Sequence, residues 1–283
     1  MSVLAATALD DIGPATRRPS RSLNGWSVAA VIYTTAFYLF LYGPIAIIVL
    51  LSFNSSEITG LPFHGATTHW YEVVFARPDL MSALFNSMAL GFISAAIATA
   101  MAFFLGLSFR RDYVGQQLVL GLVLLPIILP GILGGIVLLI FFGYLGIRPG
   151  LYTTVLVAHI NWVLPFAFLT LNARLQGFDR AVEEAAMDLG ARTHQVMARV
   201  VLPIIRPALV ATLLFSFSLS FNEFIRTLFV MGYDRTVPVA LWSAIVDRLA
   251  PELPAMAVIT ILISTAGSLC GFAFASRSRV RET

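Results

Sequence analysis

The chain has 283 residues, of which 58% are hydrophobic and 12% are charged, and its mean hydropathy is +0.86. Charged residues make up about 25% of a typical soluble domain. This composition therefore excludes a soluble domain and predicts an integral membrane protein. The net charge of +3 rests on 18 arginines and no lysine, and the arginines lie at the ends of apolar runs. This distribution indicates membrane topology and not a nucleic-acid-binding surface.

The N-terminal region begins with a polar tail, residues 1–27, that carries three clustered arginines and is expected in the cytoplasm. No charged residue occurs between positions 22 and 56. That run is too long for the core of a cleaved signal peptide and ample for the roughly 20 residues that cross a bilayer. We assign the first membrane helix to residues 28–52. Residues 53–83, rich in aromatic side chains, histidine and proline, predict an extracytoplasmic loop.

Five further uncharged runs each predict one membrane helix. They cover residues 80–109, 113–147, 149–173, 207–222 and 253–276. The fourth of these runs is short, but the helix can extend to residue 229 if it carries a polar site. The sequence therefore predicts an all-α membrane protein with six transmembrane helices, as one domain of residues 28–276 followed by a cytoplasmic tail of residues 277–283.

Proline and glycine mark predicted irregularities and contacts between these helices. Pro126 and Pro130 in the third helix predict a bend or a local unwinding. Glycines four residues apart allow neighbouring helices to approach closely. Two such pairs are interpreted as packing contacts: Gly131 with Gly135, and Gly267 with Gly271.

One segment, residues 174–206, departs from the apolar pattern and holds nine of the 33 charged residues. Asp179 is placed to cap a helix, and Gly190 can adopt the left-handed backbone that ends one. Thr193 predicts the cap of a second short helix, which ends before Pro203. Four residues of the first helix form an apolar stripe that needs a partner: Val182, Ala185, Ala186 and Leu189.

The same segment resembles the cytoplasmic EAA loop of permeases in ATP-binding-cassette (ABC) importers. The Glu-Ala-Ala triplet at 184–186, the glycine at 190 and the Leu-Pro pair at 202–203 have the spacing of that loop, with Val200 where the family usually has isoleucine. The resemblance implies a type I importer permease with the MetI-like fold, whose loop docks as a coupling helix on a separate ATPase subunit. The ATPase-coupling residues that it implies are Glu183, Glu184, Ala185, Ala186, Asp188, Leu189, Gly190, Leu202 and Pro203. The alternative is an amphipathic helix on the membrane surface, which gives no reason for the spacing.

An assembly in the bacterial inner membrane is also implied. It would contain two copies of the ATPase subunit, a second permease as the heterodimer partner, and an extracytoplasmic solute-binding protein. Because a P-loop needs a lysine and this chain has none, ATP and Mg²⁺ are expected on the partner ATPase subunit, and no cofactor on this chain. We predict a transport subunit and not an enzyme, with no catalytic residue, no metal site and no nucleic-acid partner.

Polar residues in two predicted helices are candidates for the substrate path. Glu223 and Arg226 lie three positions apart in the fifth segment, beside Asn222, and ionisable groups within a membrane suggest function. The alternatives are a self-neutralising structural pair, or an Arg226 side chain that reaches the outer interface. A second cluster lies in the fourth helix, where packing is favoured over ligand contact. It consists of His159, Asn161 and Trp162.

Residues 220–230 and 236–243 are similar to the second permease of spermidine/putrescine importers, and the similarity extends from the first helix to the last. This resemblance implies that the solute is a polyamine. Those permeases often have two adjacent acidic residues where this chain has Asn222 and Glu223, and Arg226 adds a positive charge nearby. Another small organic solute or an ion is therefore the alternative, since the binding protein largely selects the solute.

Two other classes of membrane protein are weaker interpretations. An intramembrane hydrolase could use His159 with Glu223, but the sequence lacks a G-x-S-x-G elbow, an H-E-x-x-H pair and a second intramembrane carboxylate. A secondary transporter predicts internal repeats with broken helices in matching halves, and only the third helix has the pattern of a broken one.

The arginine distribution predicts the orientation. Thirteen arginines fall in the predicted inner segments and four in the outer loops, so both termini and the charged loop are expected in the cytoplasm.

Thiol labelling tests this topology. Single cysteines at Ser2 and Ser278, in a variant without Cys270, should resist an impermeant thiol reagent in intact cells, because both tails are cytoplasmic. A cysteine at Thr59 should react. Labelling at Ser2 without labelling at Thr59 would reverse the orientation.

Overall fold

The computed structural model describes residues 25–247 and 249–280, the last six of them by their backbone alone. Most of the predicted N-terminal tail and the last three residues of the chain lie outside the described residues. The helices of the described residues are α1 (Gly25–Ser52), α2 (His69–Ala76), α3 (Pro78–Ser108), α4 (Gln116–Ile128), α5 (Gly131–Tyr144), α6 (Leu156–Gln176), α7 (Arg180–Asp188), α8 (Thr193–Val196), α9 (Leu202–Phe221), α10 (Ile225–Val230), α11 (Val237–Asp247) and α12 (Leu253–Val280). π-Helical turns, Leu151–Val155 and Met197–Val201, lead into α6 and α9.

Five helical segments of the described residues are long and apolar enough to cross a membrane, and α4 with α5 makes a sixth if this bent pair is one span. The five segments are Gly25–Ser52, Pro78–Ser108, Leu151–Gln176, Thr193–Phe221 and Leu253–Phe274. Together with the α4–α5 pair, these five segments correspond to the six predicted runs. The prediction of an all-α membrane protein is therefore confirmed.

The predicted bend in the third span is confirmed, because α4 and α5 meet at an angle of 111°. Leu129 is extended, with φ −74° and ψ 128°, as expected for a residue that precedes proline. Pro130 starts α5 with φ −52° and lacks the N–H that would continue α4. The break follows from local sequence.

The described residues divide into two compact units, with the boundary between Ile47 and Ile48. α1 begins at Gly25 in the first unit and ends at Ser52 in the second. The core of the second unit is built on α3, α6 and α9, which pack against one another. Their buried faces carry small and aliphatic side chains such as Ala98, Ala167 and Ile205. Small residues let these backbones approach closely, as in other membrane helix bundles.

Both predicted glycine pairs lie at helix contacts. A Cβ at Gly271 of α12 would lie 3.2 Å from the Leu214 Cβ of α9, and one at Gly267 would lie 3.3 Å from the Phe217 ring. A Cβ at Gly135 of α5 would lie 2.6 Å from the Phe229 ring of α10. The interpretation of these glycines as packing residues is confirmed.

The predicted start of the fifth helix and its predicted extension to residue 229 are wrong. Thr193 does not cap a separate short helix, because Arg192 takes the N-cap position and its N–H donates to Gln195 Oε1 at 2.9 Å. The helix then continues through the π-helical turn into α9, in which Pro203 is the second residue. At the other end, α9 stops at Phe221 instead of extending to residue 229. The Glu223 side chain accepts from the N–H of Arg226 in the first turn of α10, so a separate short helix begins there.

The loop between α1 and α2 is folded around Asn54. The Asn54 side chain donates to the carbonyl of Gly60 at 3.1 Å and accepts from the N–H of His64 at 3.0 Å. The hydroxyl of Thr59 is buried, whereas Ile58 is 79% exposed. Ile58 is therefore the more accessible position for the outer cysteine of the labelling test.

Candidate coupling loop and substrate-path site

The charged loop folds as its local sequence predicts. Asp179 caps α7, because its Oδ1 accepts from the N–H of Ala181 at 2.9 Å. Gly190 ends the turn with φ +88°, and its N–H donates to the carbonyl of Met187 at 2.8 Å. A Cβ at Gly190 would meet no atom within 4 Å. Glycine is required there by the backbone conformation and not by space.

The apolar stripe of α7 is covered only in part by the described chain. Ala186 packs against the core around α3, α6 and α9. Val182 is 43% exposed, Leu189 is 90% exposed, and Ala185 is also exposed. Most of the stripe therefore faces away from the chain, as expected of a surface that meets a partner.

The adjacent carboxylates of α7 line the same cavity but differ in exposure. Glu184 is exposed, whereas the Glu183 side chain is 15% exposed and its Oε1 lies 2.6 Å from Nη1 of Arg110. Asp188 is exposed on the last turn of α7, and Leu202 and Pro203 are exposed at the start of α9. The sequence did not identify Arg110 as the partner of Glu183, since the two lie in separate segments and no local pattern joins them.

A second group of candidate residues forms a buried cluster between α5, α6 and α10. Glu223 lies between α9 and α10, where its Oε1 accepts from the N–H of Arg226 at 2.9 Å and its Oε2 accepts from Nη1 of Arg226 at 3.2 Å. The Arg226 guanidinium carbon lies 3.9 Å from the centroid of the Trp162 ring. A Cβ at Gly134 of α5 would lie 3.7 Å from Nε of Arg226. The positive charge is thus held by a carboxylate and an aromatic face.

His159 lies in the same region and has partners for both ring nitrogens. Nδ1 lies 2.6 Å from Oγ of Ser220, and Nε2 lies 2.7 Å from Oγ1 of Thr227. Ser220 also accepts from Oγ of Ser94 on α3 at 2.7 Å, and Oγ1 of Thr227 donates to the carbonyl of Glu223 at 3.1 Å. His159 therefore joins α3, α6, α9 and α10 in one buried hydrogen-bond chain. This geometry favours the packing interpretation.

The two candidate asparagines lie outside this buried cluster, and both are exposed. The Asn222 amide donates to the carbonyl of Ser218 and to Oγ of Ser264 on α12, both at 2.7 Å. The structure brings together His159, Trp162, Glu223 and Arg226. It does not bring Asn161 into contact with them. Ser94, Ser220 and Thr227 were missed because isolated hydroxyls carry no sequence signal.

Variants at the buried pair test its contribution to stability. Glu223→Gln and Arg226→Met, each alone, should lower the free energy of unfolding by about 3–5 kcal/mol, because each leaves the other charge buried and unpaired. The double variant should lose much less, since no charge is left and the glutamine Oε1 still accepts from the backbone. Thermal unfolding in detergent measures this, with Glu184→Gln as the exposed control. A loss in the double variant equal to the sum of the two single losses would mean that the two charges are not coupled.

Comparisons with known proteins match this architecture. Residues 98–279 match the family described as "Binding-protein-dependent transport system inner membrane component". The chain is 34% identical over 234 residues to the spermidine/putrescine transport system permease protein PotC of Escherichia coli K12, covering 82% of this chain and 88% of PotC. It is 30% identical over 260 residues to the putrescine transport system permease protein PotI of the same organism, covering 87% of this chain and 91% of PotI.

The fold is also that of a solved importer. A chain of a bacterial ABC transporter for the acidic polysaccharide alginate superimposes with a TM-score of 0.68 at 15% identity, covering 89% of this chain and 96% of that chain. At this identity the likeness concerns the fold alone, and it confirms the predicted type I importer permease fold. The predicted class, a transport permease of the membrane, agrees with each of these matches. This chain belongs to the family of binding-protein-dependent inner-membrane permeases of ABC importers.

Proposed function

We propose that this permease forms part of the translocation path of an ABC importer for a polyamine, and that a separate subunit hydrolyses the ATP. The observation that carries the proposal is the identity of 34% over 82% of the chain to a spermidine/putrescine permease. The alternative solute is another small organic molecule or ion, because Arg226 places a positive charge beside Glu223.

Coupling is assigned to residues 179–203. The exposed side of α7 presents Glu184 together with the apolar Val182 and Leu189. A short helix with an apolar stripe and polar flanks suits a groove on another protein. The fixed cap at Asp179 and the left-handed Gly190 hold this helix at one angle, which supports its role as the surface that meets the ATPase subunit.

The assembly in the inner membrane is proposed to contain two ATPase subunits, a second permease and a solute-binding protein. ATP and Mg²⁺ would bind to the ATPase subunits. The alginate importer supports the binding-protein role, since its structure was solved in complex with a periplasmic protein that carries an alginate pentasaccharide. Both termini and α7 are placed in the cytoplasm, as the arginine count favours.

The buried cluster suggests how a cationic solute could be recognised. The Arg226 guanidinium lies over the ring of Trp162 and against the carboxylate of Glu223. An organic ammonium group is attracted to the same two surfaces. We infer that the Arg226 guanidinium occupies the position that a solute cation would take during transport. Arg226 would then have to move aside when the solute passes. Asn222, exposed next to this cluster, would be the first contact.

Replacement of Gly190 tests the coupling role. Gly190→Val should abolish solute-dependent ATP hydrolysis while the permease still reaches the membrane, because a β-branched residue resists positive φ by about 1–2 kcal/mol and α7 would be misdirected. Gly177→Val is the matched control, since Gly177 also follows a helix but has φ −80°. The assay uses the complete importer in liposomes with the loaded binding protein. Normal solute-dependent hydrolysis in Gly190→Val would contradict the assignment.

Uptake by the doubly neutral variant tests the solute path. Glu223→Gln/Arg226→Met should keep the fold but take up labelled spermidine about tenfold or more slowly, as the loss of a charge-assisted bond of about 1.5–3 kcal/mol implies. Glu57→Gln, an exposed change in the loop between α1 and α2, is the control. Unchanged uptake at matched expression would assign the pair to structure alone.

A further inference from the structure

Arg110 directly follows the last turn of α3 and forms an ion pair with Glu183 of α7. Its Nη1 lies 2.6 Å from Oε1 of Glu183, and the two side chains are 9% and 15% exposed. The guanidinium carbon also lies 5.5 Å from the centroid of the Phe178 ring. The guanidinium thus lies between a carboxylate and an aromatic face, two groups that attract a positive charge. The pair therefore ties α7 to the end of α3.

The ion pair lies at the wall of a cavity. Arg110 and Glu183 line a cavity of about 450 Å³ between the end of α3 and the loop. The other side chains that line it include Leu107, Arg180, Met187, Thr193 and Met197. This cavity separates part of α7 from the end of α3, while Ala186 of α7 packs against the core. The ion pair spans this gap as a direct contact.

The same turn of the chain is tied to α6 as well. Nε2 of Gln176, the last residue of α6, donates to the carbonyl of Phe109 at 2.8 Å. Phe109 itself is buried and packs edge-on against Phe168, with 5.0 Å between ring centroids. A force on Arg110 would therefore act on a well-packed helix end and not on a loose loop.

α3 continues from this end to the buried cluster. Ser94, four turns along the helix from Arg110, donates to Ser220 at 2.7 Å, and Ser220 contacts His159. A helix transmits a displacement along its axis because its backbone hydrogen bonds keep it stiff. The pair thus connects α7 to the hydrogen-bond chain beside Glu223 and Arg226.

We propose that Arg110 is the positioning residue through which movement of α7 on the ATPase subunit reaches α3 and the translocation path. The two adjacent carboxylates of α7 have different roles in this proposal. The exposed Glu184 contacts the ATPase subunit, and Glu183 pairs with Arg110. About 100° separates consecutive residues of an α-helix, so neighbouring residues of one helix can meet different partners. This inference rests on the proposed coupling role of α7.

The experiment measures ATP hydrolysis by the complete importer in liposomes, with and without solute-loaded binding protein. Arg110→Gln should reduce the stimulation by loaded binding protein about fivefold or more, with basal hydrolysis and subunit assembly unchanged. Arg111→Gln is the matched control, because Arg111 is the exposed neighbour, and it should be stimulated like the wild type. The charge-swapped variant Arg110→Glu/Glu183→Arg should recover stimulation that each single swap loses.

The outcomes separate this inference from the proposed function. Normal stimulation in Arg110→Gln, while Gly190→Val is uncoupled, would overturn the role of Arg110 and leave the coupling loop in place. Parallel loss of basal hydrolysis, assembly and stimulation in both Arg110→Gln and Glu183→Gln, with no recovery in the charge swap, would show a structural role and also overturn it. If the wild type is not stimulated by loaded binding protein, both the proposed function and this inference fail.

Discussion

The carboxylate of Glu223 fixes both the backbone and the charge balance at the C-terminal end of α9. One oxygen accepts the N–H of Arg226 and so begins α10, while the other meets the guanidinium of the same residue. In a membrane every backbone polar group needs a partner within the protein, so a helix can break there only if its ends are satisfied. The break between α9 and α10 meets this condition, because the N–H of Glu223 donates to Ser220 and its carbonyl accepts from Thr227.

α3 is in contact with other parts of the fold at both of its ends and in its middle. At one end Arg77, which precedes α3, pairs with the buried Glu252 next to the start of α12 at 2.6 Å. In the middle Ser94 reaches the His159 chain, and at the other end Arg110 holds Glu183 of α7. Each contact joins α3 to a different part of the fold. A permease that must relay an event at a loop to a site within the membrane gains from one stiff element that touches both.

The coupling loop combines rigidity with exposure. Asp179 caps its first helix, Gly190 ends that helix with a left-handed backbone, and Glu183 forms an ion pair with Arg110. Its Glu184 and Leu189 are exposed. An ordered helix with exposed apolar side chains binds a partner at a lower entropic cost than a helix that folds only on binding. The loop is thus already ordered in the conformation in which we propose that it binds the ATPase subunit.

Local sequence by itself determined the composition class, the apolar runs, the bend at Pro130 and the ends of α7, since each depends on neighbouring residues in the chain. It misplaced the start of the fifth helix and wrongly extended this helix to residue 229, because hydropathy does not record a π-helical turn or a side chain that caps a new helix. Only the tertiary structure decided that Arg110 meets Glu183 and that His159 meets Ser220 and Thr227. Those contacts join residues far apart in sequence, and the packing of the helices brings these residues within contact distance.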